Sequence, residues 1–127
     1  MLQLAGPFSS GVAVGVNGSA TANKDTSTVI RGLIRGIYVD YLDSPPAATT
    51  DIEIKTSDDN HPEISILAIS NAATSGLFLP KKESVSQVGG ANSGDFDLIP
   101  VFDYLNISIA GANAGDSVDV FLFIEGS

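Results

Sequence analysis

Asp95, Asp97 and Asp103 flank an apolar stretch, DFDLIPVFD. Two carboxyls projecting from one strand face are the pair that glycoside hydrolysis uses, one as acid and one as base or nucleophile. Nothing around Asp95 or Asp97 marks either as a buried acid. The expected arrangement is therefore an acidic outer face, with Phe96 and Leu98 turned inward. Sugar sites also favour exposed Trp or Tyr platforms. The chain has no Trp, and its three tyrosines, Tyr38, Tyr41 and Tyr104, fall within or at the ends of strands.

The other chemical candidates are weaker. His61 is the only histidine, which removes a multi-histidine metal site. Asp58-Asp59-Asn60-His61 offers oxygen ligands but lacks the alternating acids and central glycine of a calcium loop, and reads as a solvated turn. With no cysteine there is no thiolate nucleophile, cluster or disulfide. Gly11-Val12-Ala13-Val14-Gly15 is not followed by Lys-Ser/Thr, so it is no phosphate loop. No nucleophile–base pair emerges. The expectation is a non-enzyme without cofactor or metal.

Charge narrows the partners. Fifteen acids against six bases give a formal charge of -9 over 127 residues. That opposes a nucleic-acid footprint, which needs a basic face, and an anionic membrane surface. No apolar run reaches the length of a membrane span. The N-terminal 23 residues have Ala-x-Ala-like spacing, but no basic residue precedes Lys24 and Pro7, Gly11, Gly15 and Gly18 break the run, so a signal peptide is not expected.

These residues must sit on strands, because the dominant hydrophobic period is two. Val12, Val14 and Val16 alternate with small residues; Ile52, Ile54 and Thr56 with Glu53 and Lys55; Leu105, Ile107 and Ile109 with Asn106 and Ser108. Val118, Val120, Leu122 and Ile124 alternate with Asp119, Phe121, Phe123 and Glu125. Large apolar groups on both faces of this last strand make it central, or covered by a subunit. Asn17-Gly18 is a hairpin signal. Ser44-Pro45-Pro46, Gly89-Gly90 and Gly111-Ala112-Asn113-Ala114-Gly115-Asp116 are turn sequences. Eight or so short strands at about ten-residue spacing predict an all-β antiparallel sandwich of jelly-roll type.

Three segments resist simple alternation. Over 28–41, Arg31 and Arg35 share the odd-numbered face with Val29, Leu33, Ile37 and Val39. Two guanidiniums do not stay unpaired in a core. Either Gly32 or Gly36 marks a bulge that re-aims the side chains, or the first half of the strand lies outside the sandwich. Over 60–69, Asn60 and Pro62 fit a helix start, whereas Ile64, Ser65, Ile66 and Ile69 favour a strand with Ile64, Ile66 and Ala68 on one face; the strand is expected. Residues 1–23 carry no charged side chain and read as an extended arm or a first strand, ahead of a sandwich over 24–127. An uncharged extended segment is inexpensive to desolvate and can pair with a neighbour's sheet edge.

The uncharged arm, the strand RGLIRGIYVDYLDS, the strand TTDIEIKTSD, the turn LFLPKKE and the closing hairpin PVFDYLNISIAGANAGDSVDVFLFIEG together resemble the small jelly-roll cement, or decoration, proteins of tailed-bacteriophage capsids. The resemblance covers most of the chain and rests on pattern. It implies a structural protein, made in the host cytoplasm, that binds the major capsid protein on the outside of the virion between capsomers, as a homotrimer or a dimer. A carbohydrate-binding or host-recognition jelly roll of a fibre or tail is the alternative.

The expected contact residues are Phe8, Val12, Val14 and Val16 of the arm, Arg31 and Arg35 of the long strand, and the basic pair Lys81 and Lys82, which faces an acidic patch on a partner. Removal of residues 1–23 should leave a folded protomer that no longer assembles. All six bases lie between Lys24 and Lys82, and residues 83–127 hold seven acids and no base. Contact through the arm and the mixed middle, with acid facing solvent, is the resulting expectation.

Overall fold

The computed structural model describes residues 2–42, 47–57, 64–71, 75–80, 82–85 and 92–126, with backbone alone for 82–85 and 92–97. Among the described residues every element is a strand: β1 (Leu2–Ser9), β2 (Ala20–Asp25), β3 (Ile30–Tyr41), β4 (Asp51–Thr56), β5 (Ser65–Ile69), β6 (Gly76–Phe78), β7 (Lys82–Val85), β8 (Asn92–Asp97), β9 (Ile99–Asp103), β10 (Leu105–Ala112) and β11 (Val118–Glu125). One sheet runs β1-β11-β3-β6, with β9 also on β3; the other runs β2-β10-β4-β5. β7 and β8 form a separate hairpin. All pairings are antiparallel.

The pairings are nested. β1 pairs with β11, β2 with β10 and β3 with β9, while β1, β2, β3 and β4 alternate between sheets. The chain is thus one long hairpin wrapped around a core, which is the jelly-roll plan. The core is built by alternation. Val118, Val120, Leu122 and Ile124 of β11 face Ile52 and Ile54 of β4 and Leu105, Ile107 and Ile109 of β10, all buried. Burying each such side chain stabilises by roughly 1.5–3 kcal/mol.

Residues 1–23, expected as arm or first strand, enter this framework. Residues 2–9 run extended along one sheet edge, paired with β11 of the same chain, and β2 straddles the expected boundary at Lys24. The peptide Gly6–Pro7 is cis and falls where the β1–β11 register shifts, between Ala5 and Phe8.

The alternation of Val12, Val14 and Val16 does not make a strand. Residues 10–19 form a corner between the sheets, because Gly11, Gly15 and Gly18 adopt φ of 80°, 137° and 90° and turn the chain. Within it the Asn17-Gly18 signal is realised. The Ser19 N–H donates to the Val16 carbonyl at 2.9 Å, and the turn closes an isolated Val14–Thr21 bridge. Gly18 supplies the positive φ that a type II turn requires at its third position.

β3 resolves its own conflict with a bulge. Gly36 pairs with Phe123 and Ile34 with Ile124, leaving Arg35 as the extra residue. The buried side switches there from even positions (Ile30, Ile34) to odd ones (Ile37, Val39, Tyr41), so both arginines stay outside. The expected strand over 64–69 is β5. Its register also shifts beside Ile54, so Leu67 and Ile69 join Ile52 and Ile54, while Ala68 pairs with Glu53 and points outward, not inward as its spacing suggested. The LFLPKKE turn is in part a strand, with Leu77 and Phe78 in β6.

Candidate functional site

The two outer faces of the sandwich differ in chemistry. On the β2-β10-β4-β5 sheet the outward positions are polar apart from the small Ala68 and Ala110. Asn106 donates from its amide to the Asp25 carboxylate at 2.9 Å, Ser65 donates to Glu53 at 3.2 Å, and Ser108 donates to the Glu53 carbonyl at 3.4 Å. A shallow groove of about 260 Å³ crosses this face between Asp51, Glu53, Ser70 and Ser108, with no aromatic side chain in its lining.

The outer face of the β1-β11-β3-β6 sheet is apolar, and register places its side chains in rows. One row runs Leu2, Glu125, Leu33, Pro100; the next runs Leu4, Phe123, Gly36; the next runs Phe121, Tyr38, Leu77. Leu77 and Leu79 lean over Gly36, within 3.4 Å of where a Cβ would stand, and Phe123 approaches from the other side. Tyr38 meets Phe121 edge-on, ring centroids 6.4 Å apart. Leu2, Leu4, Leu77 and Leu79 are 57% to 62% exposed. A patch of this breadth is unusual on an isolated domain and marks an interaction surface.

Charges border the apolar rows. Arg35 reaches Glu125 at 2.8 Å, both partly in solvent. Arg31 lays its guanidinium over the Phe102 ring, 4.9 Å from the centroid, and Phe102 itself is 72% exposed. At the opposite end of the face, Asp40 and Asp119 stand directly across from each other on β3 and β11.

A second feature is the corner at 10–19. Val12, Val14 and Val16 are 64% to 77% exposed on a segment without a charged side chain. The corner is held from behind. Ala13 donates its N–H to the Asp116 carbonyl at 2.8 Å, Gly115 donates to the Ala13 carbonyl at 2.9 Å, and Ala114 donates to the Asn17 side chain at 3.0 Å. Asp116 is buried and accepts from the Asn113 N–H at 2.8 Å, which fixes the supporting turn.

Of the expected contact residues, the structure brings Val12, Val14 and Val16 to one tip and Arg31 and Arg35 to one end of the apolar face. Phe8 belongs to neither: it pairs with Val120 on the inward side of β1 and packs half-buried against the core. Lys81 lies outside the described residues, and Lys82 is placed only by backbone, opposite Asp97 in β7–β8. The Asp58-Asp59-Asn60-His61 loop is also outside them, as are the side chains of Asp95 and Asp97. Asp103 is buried with Ile99 and Val101 on the inner side of β9, not on an acidic outer face. Among the described residues no three His, Cys, Asp or Glu side chains gather to hold a metal ion.

Sequence reasoning missed Leu2, Leu4, Leu77, Leu79 and Phe102 as surface residues. The available signal was the pair Phe121 and Phe123, large and on the wrong side of a core strand. No protein-family model matches this sequence, and no curated protein matches it either.

Proposed function

We propose that the protein is a structural virion component, a jelly-roll decoration protein that seats on the outside of a tailed-phage capsid and reinforces it. Its partners in this reading are the major capsid protein and copies of itself, on the capsid exterior, after synthesis in the host cytoplasm. The observation that carries the reading is the tip at Val12, Val14 and Val16: three exposed apolar side chains on an uncharged, hydrogen-bonded corner. A neutral tip approaches a capsid without desolvating charge. A corner already fixed by backbone bonds loses little further entropy on docking.

Replacing Val12, Val14 and Val16 together by Ser tests this. The side chains are exposed in the free protein, so the thermal midpoint should stay within a few degrees. Each buried valine stabilises an interface by about 1.5 kcal/mol, so capsid affinity should fall at least ~100-fold. Co-sedimentation with heads assembled from the major capsid protein of the same virus reads this out. Undiminished occupancy at equal protein concentration would refute the tip as the docking element.

A further inference from the structure

We propose that the outer face of the β1-β11-β3-β6 sheet is covered by the same face of a second copy of this chain, related by a two-fold axis that crosses the strands over Gly36 and Phe123. This goes beyond the capsid reading. It uses a different surface and is tested on the protein alone, so either can fail without the other.

The first argument is size. Seven large apolar side chains (the six Leu and Tyr residues of the face, with Phe102) are exposed by 38% to 72%. At roughly 200 Å² for a free side chain, they offer on the order of 800 Å², one partner's share of a standard interface.

The second argument is the order of charge along β3. Outward positions run Asp40, Tyr38, Gly36, Leu33, Arg31, with Arg35 as the bulged extra residue. Asp40 lies two outward steps from Gly36 in one direction and Arg31 two in the other. Asp40 and Asp119 face each other across the strands, an arrangement in which like charges repel. Asp40 accepts only a 3.5 Å hydrogen bond from Ser75, and neither carboxylate joins an ion pair among the described residues. Among the described residues Arg35 has Glu125, whereas Arg31 has only the Phe102 ring. The face thus presents an uncompensated acidic end and an uncompensated basic end with an apolar middle.

These ends select the symmetry. An in-plane axis along the strands sets acid on acid and base on base. An in-plane axis across the strands, over the Gly36–Phe123 row, sets Arg31 of each copy over Asp40 and Asp119 of the other and Leu33 over Tyr38. Isologous contact of this kind closes at two copies. Face-to-face sheets with strands nearly aligned pack about 10 Å apart, a gap that Leu and Phe side chains fill and an arginine spans.

Sedimentation equilibrium of the full chain at tens of micromolar should give twice the protomer mass. Arg31→Glu and Asp40→Arg should each weaken dimerisation at least tenfold, with unchanged circular dichroism. The double variant Arg31→Glu, Asp40→Arg should dimerise at least several-fold more tightly than either single variant, because the new carboxylate at 31 meets the new guanidinium at 40, with Asp119 left to limit the recovery. A monomer or trimer for the parent chain would overturn the proposal. So would single reversals without effect, or a double variant as weak as the singles.

Discussion

Tyr41 is buried on the inner side of β3, and among the described residues its hydroxyl has no hydrogen-bond partner. Burial, and secondarily the Asp51 carboxylate, raise its pKa above the ordinary 10.0. A buried hydroxyl without a partner carries a desolvation penalty, so Tyr41→Phe should leave stability unchanged or raise it by up to about 1 kcal/mol near neutrality. The pH dependence has a definite sign. The folded state holds the phenol neutral to higher pH than the unfolded chain does. The stability linked to this proton is therefore complete below the unfolded pKa and lost as pH rises through the folded one. Urea midpoints at neutral pH and at about pH 11 should show a larger loss for the parent than for Tyr41→Phe; equal losses would contradict the assignment.

At the scale of an element, β3 shows how one residue decides a face. Arg35 is the extra residue opposite the Phe123–Ile124 step. Its removal leaves Ile34 inward, Gly36 outward and Ile37 inward, the regular order of a strand. Removal of Leu33 instead slips the upstream half by one and turns the Arg31 guanidinium toward the core, where an unpaired charge is strongly unfavourable. Deleting Arg35 should lower the urea midpoint modestly, and deleting Leu33 should abolish cooperative unfolding. Similar losses for the two deletions would show that the bulge does not set the register. The valines of the corner make the complementary point: an alternating sequence becomes a strand only if its backbone can extend, and Gly11, Gly15 and Gly18 instead bend this one.

At the scale of the whole molecule, first-to-last pairing makes the termini structural. β1 closes the edge of β11, and residues 1–23 supply β1 and more than half of β2. Truncation there is therefore not removal of a detachable arm. Deleting residues 2–9 should bare the β11 edge, with its unpaired backbone groups, and give a protein that aggregates on refolding. Light scattering checks this, and a soluble, fully folded truncation would show that β1 is dispensable. The charge of -9 is distributed by the same wrapping: the tip at 10–19 is neutral, and the outer face of the β1-β11-β3-β6 sheet has acid at one end and arginine at the other.

The sequence by itself determined the class of fold and most of the core, because burial on one face of a strand writes a period of two into any chain that folds this way. Ile52 and Ile54, Leu105 to Ile109 by twos, and Val118 to Ile124 by twos were legible for that reason, and so was the conflict at Arg31 and Arg35. The tertiary structure decided which strands are neighbours, where the bulge falls, and that Leu77 and Leu79 stand over Gly36 while Leu2 and Leu4 join the same face from the far side of β11. Those residues are remote along the chain, and each is unremarkable alone. Only the nested pairing of β1 with β11 and β3 with β6 gathers them into one surface, and pairing across such separations leaves no local periodicity to read.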